Sequence, residues 1–263
     1  MGERGRRLVN VPMNATINQN GYTVDMPLNH RHPLDREQAV ALLHSACRDA
    51  RRDREIPIVR GFSGTAPFYR LEGNQGELQS RSNEHYHTVI MDEFLPHEGY
   101  PRRGESIICG NWLNLQFAGD YGATYAIFPF DSVPIGVCYG RDFLETRIGM
   151  GHLRERTTLS IMEWNEIFRS LELRDDSYAA FRADIERKRG NGGKIDAIFP
   201  AGVDVDKVLR QTYGSSSLRL QIVSPATLAT IQDRQREMWF SGPCVAVRLD
   251  QMEATNCLLR TCA

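Results

Sequence analysis

The chain has 263 residues, of which 41% are hydrophobic, 25% charged and 9% aromatic, and its 32 basic and 33 acidic side chains leave a formal net charge of -1. A chain of this size can bury a full core without disulfide or metal staples, and near-neutrality argues against a protein that coats nucleic acid or an anionic membrane. No apolar run reaches the ~18 residues that suggest a membrane-spanning helix. Of the basic residues only Lys188, Lys194 and Lys207 are lysine, which leaves 29 arginines.

In chain order, residues 1–32 are rich in Asn, Thr, Gln and Gly, lack apolar periodicity, and read as a flexible leader rather than a conventional signal peptide. Asp35 is placed to cap a helix in which Ala39, Leu42, Leu43 and Ala46 recur at helical spacing. A short apolar strand over 56–62 delivers Arg60 and Gly61 at its end. Residues 63–80 read as loop and 81–95 as helix, stopped at Pro96. Ser106 opens a second strand over 107–109, and 112–121 reads as helical. Strands over 124–130 and 133–139 flank Asp131-Ser132, a hairpin signal, and a second strand pair, 237–240 and 244–249, flanks Ser241-Gly242-Pro243. Between them, 159–189 is helical and charged, followed by shorter helices over 203–213 and 225–232. The six cysteines form no Cys-x-x-Cys pair, which points to buried free thiols in a reducing compartment.

Arg60-Gly61 at a strand end is ordinarily a surface ion pair and a strand stop; functionally, a guanidinium there can anchor a diphosphate or carboxylate. Gln235 and Glu237 are two residues apart in an expected strand and therefore share one side of it; the bland alternative is a solvated edge beside Arg234 and Arg236. The segment from Arg81 to His87 is polar and aromatic and could line a nucleotide pocket. His85 and His87 lack a third ligand at a recognised spacing, so no metal is expected. Cysteine–histidine pairs such as His44 with Cys47 arise by chance in any chain with this many of both.

Strand-Arg60, strand-Ser106 and Gln235-x-Glu237, in that order, resemble the Arg-Ser-Glu class of mono-ADP-ribosyltransferases found among bacterial toxins and type III effectors. The resemblance covers three short segments, and the second motif departs from the family's Ser-Thr-Ser, reading Ser106-Ile107-Ile108. It implies an α+β fold with a split β-sheet core and flanking helices, a single catalytic domain over 33–263 with a helical insertion near 155–193, and a leader over 1–32 read by a secretion machine. It further implies NAD as substrate, Glu237, Gln235 and Ser106 as catalytic residues, and Arg60, Gly61, Ser106 and Arg81 as NAD-binding residues. Glu145 is the rival carboxylate if 155–193 is no insertion. The implied partner is a host protein modified in the host cytoplasm on an uncharged side chain, threonine of ubiquitin first, with no nucleic acid or membrane. Lysine scarcity is accounted for by high-GC codon usage, and also suits a delivered protein that escapes host ubiquitin tagging. A non-enzymatic binding protein on the same scaffold is the competing expectation, with a Cys–His hydrolase or deamidase a distant third.

Overall fold

The computed structural model describes residues 31–51, 58–73, 85–150, 158–231, 233–253 and 255. The described chain opens with β1 (Arg31–Pro33), α1 (Arg36–Ser45) and the single turn α2 (Arg48–Arg51). α1 starts where the sequence signals it. Asp35 accepts the Gln38 amide at 2.8 Å and the Gln38 side chain accepts the Asp35 amide at 3.1 Å, a reciprocal cap. There follow β2 (Ile58–Phe62), β3 (Phe68–Leu71), α3 (Tyr86–Phe94), β4 (Ile107–Asn111), α4 (Leu115–Ala118), β5 (Ala123–Pro129) and β6 (Ile135–Val137). A small ribbon, β7 (Arg147–Ile148) with β8 (Leu159–Ser160), leads into α5 (Ile161–Ser170), α6 (Tyr178–Lys188), α7 (Lys194–Ile198), α8 (Val205–Tyr213) and α9 (Ser215–Leu218). The chain then forms β9 (Gln221–Val223), β10 (Glu237–Phe240) and β11 (Cys244–Arg248).

Nine of these strands make one antiparallel sheet in the order β1-β3-β11-β5-β2-β4-β10-β6-β9. The architecture is α+β with a large antiparallel sheet and no barrel. Several expectations are corrected. β3 lies in the stretch read as loop, where neighbouring Gly and Ser mask a short apolar strand. Arg31 and His32, assigned to the leader, pair with Leu71 and Arg70. Neither expected hairpin forms: β5 sits between β11 and β2 while β6 sits between β10 and β9, and β10 and β11 likewise have different neighbours. The turn residues reverse the chain, but each strand finds its partners elsewhere.

This topology forces the sheet to fold over. From Phe240 to Cys244 the chain spans four residues, at most ~14 Å when extended. In a flat sheet β10 and β11, four places apart, would be about 19 Å apart at the usual strand spacing. The two halves of the sheet must therefore approach each other, and one face turns inward. That inner face is a single core holding Tyr69, Tyr125, Ile127, Ile107, Val137, Met238 and Phe240, to which the connecting segments add little beyond Val133, Leu228 and Ile231.

The outer face carries helices. Ala39 and Leu43 of α1 pack on Phe68, Val245 and Val247 of one half. Over the other half, α3, α5, α6 and α8 contribute Ile90, Phe168, Ile185 and Leu209 to a core that includes Trp239. The helical stretch expected at 155–193 thus extends to Leu218 and shares its core with α3; residues 151–157 lie outside the described residues. Cys47, Cys109, Cys138 and Cys244 are buried free thiols.

Trp239 is fully buried and donates its indole N–H to the Pro101 carbonyl at 2.9 Å. Opposite it on β6 stands Gly136, where a Cβ would lie 2.4 Å from the indole ring. Gly136→Ala is expected to lower stability by about 1–3 kcal/mol through overpacking, read as a lower urea midpoint with an unchanged slope.

Candidate functional site

The strands that carry the sequence motifs, β2, β4 and β10, are consecutive in the sheet. Their side chains do not share one surface. Val59, Gly110 and Glu237 are in register across the three strands, so all three project to the outer, helix-covered face. Arg60, one residue on, points to the inner face, where it donates to the Ile108 carbonyl beside the Cys109 thiol. Gly61 returns to the outer face, and there the end of α4 presses on the strand: a Cβ would lie 1.7 Å from the Ala118 carbonyl oxygen. Its lack of a side chain serves this close approach.

Ser106 is buried, and its hydroxyl donates to the Arg102 carbonyl at 2.5 Å, closing the turn that precedes β4. Glu237 pairs with Gly110, four residues along β4 from Ser106, or about 13 Å of extended chain. The expected convergence of Arg60, Ser106 and Glu237 on one cleft is therefore corrected twice: Arg60 lies on the wrong face, and Ser106 lies too far along its strand. Arg81 lies outside the described residues.

What meets Glu237 instead is Arg103. Its guanidinium lies 2.5 Å from one carboxylate oxygen, while the Phe143 amide donates to the other at 3.1 Å. Only 9% of the arginine side chain and 12% of the glutamate side chain remain accessible. Arg103 reaches back along β10 beneath two aromatic faces, 5.0 Å from the Phe143 ring centre and 5.8 Å from that of Trp239. Its backbone is pinned by Asp92 of α3, whose carboxylate accepts the Arg103 and Gly104 amides at 2.5 and 2.8 Å. Burial pushes the Glu237 carboxyl above its ordinary range although Arg103 pulls the other way. For Arg103, burial disfavours the charge, but the Glu237 carboxylate outweighs it and the guanidinium is held above its usual value.

The expected strand over Gln235 is corrected: β10 starts at Glu237, and Gln235, just ahead of it, donates to the Leu113 carbonyl at 3.0 Å. Glu145, the rival acid, is half exposed in an ion pair with Arg141, while its neighbour Phe143 supplies the amide to Glu237. His87 is buried against the Phe143 ring, with Nδ1 3.2 Å from the Asn165 side-chain nitrogen. Among the described residues no group of three His, Cys, Asp or Glu side chains is placed to hold a metal ion. Nor is any helix there long and apolar enough to cross a membrane.

The arrangement presents a fixed, largely dehydrated carboxylate paired with a buried guanidinium, with a carboxamide two residues ahead of it. Sequence reasoning missed Arg103 because it stands in a turn, outside any strand or helix period. Its one signal is Trp239, two residues from Glu237 and a cover for a long cationic stem. Comparison with protein-family models, with curated proteins and with solved structures gives no match to the chain.

The buried imidazole sets a pH dependence. Burial depresses His87 to about 3, from an ordinary 6.5, so the unfolded chain binds a proton between these values that the folded chain refuses. Its contribution is complete above about pH 6.5 and is lost as pH falls toward 3, at up to about 1.4 kcal/mol per pH unit. His87→Asn, which keeps a polar atom near Asn165, is expected to flatten the fall in urea-unfolding free energy between pH 6.5 and pH 4.5 relative to the parent. An unchanged pH slope would assign the acid sensitivity to other groups.

Proposed function

We propose that the chain is an NAD-dependent mono-ADP-ribosyltransferase of the Arg-Ser-Glu type, with Glu237 as its essential carboxylate. The observation that carries this reading is the largely buried Glu237 carboxylate at the start of β10, held by Arg103 and the Phe143 amide, with the Gln235 carboxamide two residues ahead of it. In such a transfer the bond between nicotinamide and ribose breaks, positive charge grows on the sugar, and nicotinamide leaves. The ribose carbon then bonds to the acceptor, whose proton is released. A preorganised carboxylate opposite the developing cation contributes about 3–4 kcal/mol.

In this reading Arg103 replaces Arg60 as the guanidinium of the site, and its planar fork suits a diphosphate. Ser106 acts as a positioning residue, since its hydroxyl closes the turn that carries Arg103. Gln235 orients the acceptor, for which we propose an uncharged side chain, with threonine of ubiquitin tested first in the cytoplasm of a host cell. One observation favours a second reading, a binding protein without catalysis: Glu237 is already ion-paired with Arg103 and accepts the Phe143 amide.

Incubation with NAD, ubiquitin and a eukaryotic lysate, followed by mass spectrometry and chromatographic assay of nicotinamide, separates the two. The transferase reading expects an ADP-ribose adduct and nicotinamide release, reduced ~100-fold or more by Glu237→Gln and left largely intact by Arg60→Gln. Folded protein that yields neither product overturns the transferase reading. Loss of activity in Glu145→Gln but not in Glu237→Gln would move the essential carboxylate to the surface pair.

A further inference from the structure

Tyr139, directly after β6, is 45% exposed, although aromatic side chains of this size usually find cover. Three guanidinium groups surround its ring: those of Arg234 at 4.5 Å, Arg219 at 5.5 Å and Arg236 at 5.8 Å from the centroid. One carboxylate, Asp233, engages both Arg234 and Arg236, each at 2.8 Å. Among the described residues Arg219 is paired with no carboxylate, so the patch carries surplus positive charge on a chain whose net charge is -1.

Arg219 is placed there at a conformational cost. It caps α9 with φ +53 and ψ +43, the left-handed conformation that glycine or asparagine adopts most readily. A long cationic side chain thus occupies a position that favours glycine and lies on an exposed aromatic ring. The patch also has an apolar flank. Gln235, next to Arg234, is tied to the Leu113 carbonyl, and Trp112 and Leu113 are 41% and 43% exposed.

We propose that this surface docks an acidic segment of a partner protein, one that carries apolar side chains among its carboxylates. Arg219, exposed and without a carboxylate partner among the described residues, offers its N–H groups to an incoming carboxylate beside Tyr139, with Arg234 and Arg236 adding positive charge, and Trp112 with Leu113 receives the apolar residues. A nucleic-acid backbone fits less well, because a phosphate track requires a longer run of cations than one cluster around one ring. The surface adjoins the proposed site at Gln235 and stands whether or not the chain consumes NAD.

The test is fluorescence anisotropy of the full chain with a labelled peptide Glu-Glu-Leu-Glu-Trp-Glu-Glu-Leu, its lysine-for-glutamate counterpart, and a ten-nucleotide single-stranded DNA. Saturable binding of the acidic peptide alone is expected, weakening as salt is raised. The double variant Arg219→Asn with Arg234→Gln should weaken it at least tenfold, and Tyr139→Ala should weaken it too. Arg182→Gln, which loses a surface pair with Asp206 in the helical layer, should bind as the parent does. Circular dichroism of each variant establishes that it is folded, and asparagine suits the backbone at position 219. The proposal is overturned if the parent fails to bind the acidic peptide, if the folded double variant binds it unchanged, or if the DNA binds as tightly.

Discussion

Three residues, Ser241-Gly242-Pro243, join two strands that stand four places apart in the sheet, and the rest of the structure follows from that short tether. A flat sheet cannot satisfy it, so the halves fold together and the two sheet faces acquire different fates. The inner face becomes a core of aromatic and aliphatic side chains, with Phe62 stacked on Tyr125 at 4.1 Å and Tyr69 set edge-on to both. The outer face must then find cover from helices, which come from widely separated parts of the chain. Every functional assignment depends on which of the two faces a side chain takes.

The ion pair of Arg103 with Glu237 is formed under that helical cover. Dehydrating two charges costs several kcal/mol per ion, and attraction returns this only where geometry is good and the remaining polar atoms are satisfied. Here the second carboxylate oxygen takes the Phe143 amide and the guanidinium lies against two aromatic faces, but the Arg103 Nε is buried without a hydrogen-bond partner among the described residues, so the compensation is incomplete. The pair acts chiefly as a specifier. It ties the turn ahead of β4, the segment after β6 and the start of β10 to one point, which a purely apolar contact would fix less uniquely. A carboxylate so held is rigid, and rigidity is what electrostatic support of a transition state requires.

Much of the local structure was legible in the sequence because it rests on local physics. Asp35 announced α1 through a reciprocal cap, and the apolar runs over 107–109, 237–240 and 244–249 announced β4, β10 and β11. What was not legible is tertiary. Two good turn signals suggested hairpins, but a turn specifies only that the chain reverses, and the partners of β5, β6, β10 and β11 were decided by burial across the folded sheet. The Arg60 assignment failed for a related reason. In a strand one residue changes the face, and the face of β2 relative to β10 depends on register through β4, which no local pattern encodes. Arg103 was invisible because a turn residue acquires its role only when a distant strand arrives beneath it.

The charged run from Arg234 to Glu237 joins these scales. As a sequence it admitted two readings, a solvated edge or a pocket wall, and the fold holds features of both. Gln235 is tied to Leu113 and Glu237 to Arg103. Arg234 and Arg236 share Asp233 and lie against the Tyr139 ring. Asn111 of β4 clamps this run, since its side chain accepts the Arg236 amide at 3.2 Å and donates to the Arg234 carbonyl at 2.5 Å. Further along β10 the register is held by burial, since Met238 and Phe240 enter one core and Trp239 the other, so a slip of one residue would exchange the two sets.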